Sequence, residues 1–423
     1  MKIVKFWSFF AIFLLVVLYA WIHTYSPGPF GLQYLRHASS LFAVFGLIFI
    51  FMQFVLSCRF KPLEAGFGLD KMLNYHRYFG RIGLALVFLH FIMMVLYQWL
   101  EEGRIYLEFS AWLGLIALAA FTVTAALAAT HKKLHINYEV WKNIHVLNYI
   151  VLPVALLHFF LSLRQGPLLY YLWLFLVAAF AAIIFYRLAR IYHIRKNPFK
   201  VVEVQQEAVD IWSLRLSGNT FSYKPGQFLM IQLLRSGKLS SAHPFTISSS
   251  PTQEHISITP KELGDFTSTI KNTRKGDLAF IDAPYGVFSF LNYDCDEVVF
   301  IAGGIGITPF ISMLRYIFDK QLQKKVTLFW ANKNEDNLCF QEELAKIQQE
   351  MPDFKAILVM SGQKDWPGEQ GRVNAKLLQK YLADLPKKNF FVCGPPGMSR
   401  AVQEELLALN VPRHRIHFEI FKL

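Results

Sequence analysis

HRYFGRIGLALVFLHFI, residues 76–92, is apolar enough for lipid, yet it opens on His76 and carries a second histidine, His90, two residues before its end. Ionisable rings at membrane depth are costly and call for a specific partner. The same arrangement recurs downstream, where a second apolar run holds His145 and His158. Spacings of fourteen and thirteen residues correspond to a helical rise of roughly 20 Å, most of a hydrocarbon core of about 30 Å. Two levels are thereby defined, and each receives one histidine from each run.

The rest of the chain supports a membrane reading for its first half only. Of its 423 residues, 54% are hydrophobic and 16% aromatic, too many for an ordinary soluble protein. The excess stops near Arg190, beyond which the texture is that of a soluble α/β protein. Six runs have the roughly 20 residues a span needs: 5–23, 37–58, 76–99, 109–130, 141–163 and 168–190. The first resembles a signal peptide, but its apolar run is long and no small-x-small site follows, so it reads as a retained span.

Net charge is +13, yet the basic residues lie mainly in connections between apolar runs, and no basic face with interleaved aromatics marks a nucleic-acid site. Lys2, Lys5, Arg59, Lys61, Lys71, Arg77, Arg81, Lys132, Lys133, Lys142, Arg187, Arg190, Arg195, Lys196 and Lys200 fall on one side, against Arg36, Arg104 and Arg164 on the other. The positive-inside bias then puts both termini and the soluble half in the cytoplasm. Cys58, Cys295, Cys339 and Cys393 are scattered with no C-x-x-C pair, which fits a reducing compartment and excludes a thiolate zinc site.

Four histidines paired at matching depths suit two stacked six-coordinate haems, held by His76 with His145 and by His90 with His158. The competing reading is a set of lone polar residues or transporter ligands. Fourteen residues is close to four turns, so His76 and His90 share a face; thirteen is not, and Pro153 is expected to distort the second helix between His145 and His158. His23, His37, His131 and His135 near span ends read as solvated interfacial rings. Arg36, Arg77 and Arg81 either neutralise haem propionates or signal topology.

HIRKNPFK (193–200) marks the junction. From Val201 to about Asp282, short β-rich runs (KVVEV, IWSLRL, QFLMIQLL, FTISS, HISITP, LAFIDA) predict a small antiparallel barrel. From Glu297, strands EVVFIA, KVTLFWA, KAILVM, NFFVCG and RIHFEI alternate with helical stretches and predict a parallel doubly wound sheet. The organisation expected is 1–192, 193–292 and 293–423.

Four loops carry chemistry. HPFTISSSP (243–251) follows a barrel strand, and LGDFTSTI (263–270) looks like a helix start that Asp265 or Thr267 can cap, with free N–H groups for a pyrophosphate. IAGGIGITPF (301–310) joins a strand to a helix; Gly303, Gly304 and Gly306 permit a tight turn near a nucleotide phosphate, and Pro309 suits a first helical turn. VCGPPGM (392–398) sets Cys393 at a strand's carboxyl end, where such sheets bind ligands.

Taken together, the chain resembles bacterial members of the NADPH oxidase and ferric reductase superfamily over nearly its full length. HPFT (His243, Pro244, Phe245, Thr246) resembles the family's flavin-binding stretch, and GDFT (Gly264, Asp265, Phe266, Thr267) its flavin-phosphate loop. GGIGITPF (Gly303, Gly304, Gly306, Thr308 and Pro309 among them) and CGPPG (Cys393, Gly394, Pro395) resemble its nicotinamide-nucleotide motifs. The resemblance implies a six-helix bis-haem bundle followed by a ferredoxin-reductase-like module. It also implies a cytoplasmic (inner) membrane location and transfer of electrons from NADPH through FAD and two b-type haems to an outside acceptor. That acceptor is oxygen, giving superoxide at the haem edge, or a ferric chelate; no obligatory protein activator is implied. A histidine-lined metal transporter and an electron-donor subunit for an outside partner are the other readings.

Two departures stand out. Family members commonly place an aromatic residue near the C-terminus against the flavin; here Leu423 takes that place, with Phe421 two residues earlier. Together with Cys393 these form the expected catalytic set, and leucine in that place predicts easier nicotinamide access or a looser flavin. For the 2′-phosphate, GRVN offers Arg372, with Lys333, Ser361 and Lys364 as neighbours, while WANKNED is only weakly basic. NADPH is expected as donor, with NADH also used.

Overall fold

A computed structural model describes residues 2–24, 31–131, 133–163 and 167–419. The chain divides into two compact units, Met1–Ile191 and Tyr192–Leu423.

The first unit is helical: α1 (Lys2–Thr24), α2 (Gln33–Ser57), α3 (Lys61–Phe67), α4 (Leu69–Glu102), α5 (Phe109–Thr130), α6 (Tyr138–Val146), α7 (Asn148–Ser162) and α8 (Pro167–Lys196). Among the described residues six stretches are long and apolar enough to cross a membrane, with α6 and α7 together making one of them. The expected junction at 192/193 falls inside α8, because the basic stretch stays helical to Lys196 and Pro198 then prevents continuation.

Small residues set the closest helix contact. A Cβ on Gly46 of α2 would sit 2.7 Å from Val87 Cγ2, and one on Gly83 of α4 would sit 3.0 Å from Ile50. Glycine therefore lets the two backbones approach as close-packed membrane helices do.

The second histidine-bearing span is distorted between His145 and His158, as expected, though not at Pro153 itself. Pro153 lies inside α7, and the break is at Leu147, between α6 and α7. Proline withdraws the N–H that the Tyr149 carbonyl would accept, so it loosens the turn before itself. The break lies just beyond that turn, where Leu147 N bonds Ile144 O at 3.1 Å and Ile150 N bonds Leu147 O at 2.8 Å in tight i→i+3 contacts.

The second unit begins with an antiparallel sheet of β1 (Phe199–Ala208), β2 (Ile211–Ser217), β3 (Phe228–Arg235), β4 (Lys238–Leu239), β5 (His243–Thr246), β6 (Ile256–Ile258) and β7 (Leu278–Tyr285). Their order is β4-β3-β7-β1-β2-β6 with β5 on β3, and an Ile247–Ile258 bridge joins the end of β5 to β6, closing a barrel. Leu214, Leu216, Leu229, Ile231, Leu233 and Ile258 fill it. HPFT is therefore itself a strand rather than a loop after one.

A parallel sheet follows, built from β8 (Glu297–Gly303), α9 (Thr308–Asp319), β9 (Lys325–Asn332), α10 (Gln341–Glu350), β10 (Phe354–Met360), β11 (Glu369–Gln370), α11 (Ala375–Tyr381), β12 (Asn389–Cys393), α12 (Pro396–Ala408) and β13 (Ile416–Glu419). Strand order is β11-β10-β9-β8-β12-β13. One face packs on α9 and α10 through Phe310, Leu314 and Leu344, the other on α11 and α12 through Leu378, Val402 and Leu406. The order reverses at β8, so the loops after β8 and β12 flank the switch point where such sheets bind nucleotides.

Candidate functional site

In the helical unit the four histidines form two pairs. Ring centres of His76 and His145 are 6.0 Å apart, and those of His90 and His158 are 6.4 Å apart. Two imidazoles on opposite sides of one metal have centres about 6.4 Å apart, given bonds of about 2 Å and about 1.2 Å from nitrogen to ring centre. Both pairs fit that arrangement. Among the described residues no group of three or more His, Cys, Asp or Glu converges on one metal position. Two ligands per level are too few for a closed protein-only site and suit a porphyrin iron, whose ring supplies the other four.

Three of the four far nitrogens are engaged in the way that metal-binding histidines require. His76 Nδ1 lies 3.3 Å from Gln53 O, His90 Nδ1 lies 3.1 Å from Ser39 O and 2.9 Å from Ser39 Oγ, and His158 Nδ1 lies 2.7 Å from Ser110 O. An N–H on Nδ1 leaves Nε2 free to face inward. A Cβ on Gly114 would stand 2.8 Å from the His158 ring, so glycine there makes room for the imidazole. Arg36 lies over the Tyr97 ring at 5.9 Å, whereas Arg77 and Arg81 are exposed along α4.

In the barrel, the two expected flavin stretches meet. The His243 ring stacks on Phe266 at 3.9 Å and 11°. Arg235, at the end of β3, lies over Phe266 and donates to Thr269 O at 2.5 Å and Thr269 Oγ1 at 2.8 Å, tying the turn Thr267–Asn272 to the barrel. Thr246 Oγ1 is buried with no partner, an orphan that a bound group would satisfy. LGDFTSTI forms a short 3-10 turn rather than an α-helix start, and Thr267 Oγ1 accepts from the Leu263 and Gly264 N–H groups. Those two donors are thus already used, and Asp265 caps nothing.

At the switch point of the parallel sheet, the two glycine loops touch. A Cβ on Gly303 would lie 2.5 Å from Met398 Sδ and 2.9 Å from Pro395, and one on Gly306 would lie 2.3 Å from the Cys393 carbonyl oxygen. Gly304 has φ +53 and open space beside it, while Thr308 and Pro309 start α9. Gly394 packs on Gly303. Cys393 is fully buried; burial, reinforced by the Glu419 carboxylate, pushes its thiol well above the ordinary range, so it is not a thiolate at neutral pH. Phe421 and Leu423 lie outside the described residues.

Lys333, Ser361, Lys364 and Arg372 are exposed and follow the carboxyl ends of β9, β10 and β11, which Ser361 N–Asn332 O (2.9 Å) and Gly371 N–Met360 O (2.7 Å) bonds hold together. Beside them Asn332, only 5% exposed, has both amide atoms buried without partners. The sequence had no signal for Asn332, whose significance comes only from its burial.

Three family models match in chain order: a ferric reductase like transmembrane component over residues 42–156, an FAD-binding domain over 194–289 and an oxidoreductase NAD-binding domain over 300–404. The second half of the chain thus carries an FAD-binding domain followed by an NAD-binding domain of oxidoreductase type, preceded by helices able to span a membrane. The combination supports the ferric reductase/NADPH oxidase superfamily. Over its second half the chain is similar to a glycine betaine monooxygenase reductase subunit of Chromohalobacter salexigens, 29% identical over 53% of this chain, and spans 64% of that relative's length. It is also similar to the sulfhydrogenase 2 subunit gamma of Pyrococcus furiosus, 26% identical over 53% of this chain and 84% of that one. A flavohemoglobin structure from Malassezia yamatoensis shares the fold, with a TM-score of 0.50 at 19% identity over 92% of this chain and 96% of that one.

Proposed function

We propose that the chain carries electrons from NADPH through FAD and across the membrane by two b-type haems, one between His76 and His145 and one between His90 and His158, to an acceptor on the far side. The observation that carries the reading is the pairing of four imidazoles at 6.0 and 6.4 Å. Bound there, the haems supply one-electron carriers at two depths, and the flavin converts a two-electron donor into single electrons. The protein's part is to hold the imidazoles in one tautomer, to seat the flavin against Thr246, His243 and Phe266, and to bring the nicotinamide nucleotide to the Gly303–Gly306 and Gly394–Pro395 loops.

Arg372, Lys333 and Lys364 near one exposed edge favour a 2′-phosphate, hence NADPH, with NADH as a poorer donor. The excess of Lys and Arg on the side of both described ends supports a cytoplasmic dehydrogenase, and the bacterial inner membrane is the proposed location. Oxygen, giving superoxide, is the acceptor favoured here; the match to a ferric reductase like component makes a ferric chelate the second reading.

The test is NADPH-driven reduction of a superoxide reporter by detergent-purified protein supplied with FAD. A Soret band and a rate abolished by superoxide dismutase are expected. A dismutase-insensitive rate with ferric chelates reduced instead moves the assignment to a metalloreductase, and protein with no Soret band overturns the electron path.

A further inference from the structure

Three of the four paired histidines are oriented in the same way, by a helix carbonyl at Nδ1: His76 by Gln53, His90 by Ser39 and His158 by Ser110. His145 is the exception. Its Nδ1 is buried facing the Thr124 carbonyl of α5 without a well-formed hydrogen bond, so it is held there more loosely than the other three.

An aromatic column stands beside that ring. Trp141, one helical turn earlier on α6, stacks along His145 at 5.6 Å and 30°, and it also stacks on His131 at 4.7 Å and 14°. Residues i and i+4 lie one above the other on a helix, so α6 itself aligns the two rings. The outer ring is anchored by a hydrogen bond: His131 Nδ1 lies 3.2 Å from Ala128 O, and Ile136 N–His131 O at 2.9 Å closes the connection from α5 to α6. Asn137 caps α6 by accepting from Glu139 N at 2.8 Å, which sets where that helix begins. The weak direct anchor of His145 is thus reinforced by two stacked rings, the outer of which is itself tied to the backbone. His131 is accordingly a packed ring, not the solvated interfacial one its place in the sequence suggested.

We infer that Trp141, backed by His131, is the positioning residue for His145 and hence for one haem only. This rests on the bis-haem reading above. The consequence is selective: loss of the column releases the His145 ring and weakens the His76/His145 site, while the His90/His158 site keeps its two carbonyl anchors.

The experiment uses full-length protein purified as Trp141→Ala, Trp141→Phe and His131→Ala, compared with wild type by haem content, redox titration of the Soret band and low-spin ferric EPR. Trp141→Ala should lose or shift one of two haem signals, with retention at that site weakened about 10- to 100-fold, as for loss of other outer-shell partners. Trp141→Phe keeps a stacking face and should stay near wild type, and His131→Ala should fall between. Two unaltered haem signals in Trp141→Ala overturn the inference, as does equal loss of both haems in Trp141→Ala and Trp141→Phe, which would make the column a folding element only. Wild-type protein without a Soret band removes the haem reading itself, whereas a two-haem wild type beside a two-haem Trp141→Ala removes this inference alone.

Discussion

Gly114 has room for a hydrogen and no more. Alanine would put its Cβ 2.8 Å from His158 Cε1 and 2.9 Å from Nε2, while the ring's other nitrogen is tied to Ser110 O at 2.7 Å. Either the imidazole gives up that bond or α5 moves. Gly114→Ala should therefore weaken retention of the His90/His158 haem by about 10- to 100-fold and leave the other in place, so haem per protein falls from two towards one. Gly80→Ala is the control, since its Cβ would meet only Gln53 at an ordinary 3.4 Å. A full haem complement in Gly114→Ala, measured as pyridine haemochrome, contradicts the pairing geometry. Cys393 teaches the opposite lesson about residue identity. Its place at a strand end suggested catalysis, yet what the neighbouring loop uses is its carbonyl, against which only Gly306 fits.

Between elements, Arg235 is the tie that matters for the flavin site. It reaches from β3 to the 3-10 turn, with two bonds to Thr269 and a face on Phe266, which in turn stacks on His243 of β5. Hydrogen bonds from a charged donor contribute about 1.5–3 kcal/mol, so Arg235→Ala should lower FAD affinity roughly tenfold or more, with Arg235→Lys recovering part of it. Flavin titration by fluorescence quenching measures this, and an unchanged dissociation constant would exclude the tie. Elements of this kind divide by what their signal depends on. Long apolar runs and β-rich runs between turns announce themselves locally, so the membrane-capable helices, barrel and parallel sheet were legible. The break at Leu147 was not, because proline marks where a hydrogen bond is missing and not where the helix yields. Arg235, Asn332 and Trp141 were invisible for a related reason: a strand-end arginine, an asparagine and a membrane tryptophan are common, and only tertiary contacts make these three distinctive.

At the scale of the whole molecule, charge and span count make a joint statement. Six membrane-capable stretches, if all cross, return the chain to its starting side. The helix ends and connections on that side carry most of the basic residues of the first half, while the end of α4 and the α4–α5 connection hold Glu101, Glu102 and Glu108 against the single Arg104. Lysine and arginine close to span ends resist translocation, whereas acidic residues contribute little. On the proposed orientation the α4–α5 connection would lie outside, and the α5–α6 connection, which carries the column anchor His131, inside. Glu101→Cys and Lys133→Cys, both at exposed positions, test this in intact spheroplasts with a membrane-impermeant maleimide. The Glu101→Cys protein should label at once, and the Lys133→Cys protein only after permeabilisation. The reverse pattern would turn the molecule over, put the dehydrogenase outside and remove access to cytoplasmic NADPH. Labelling of both without permeabilisation would mean that α5 does not cross, which would take His158 and its Ser110 anchor out of the bilayer together.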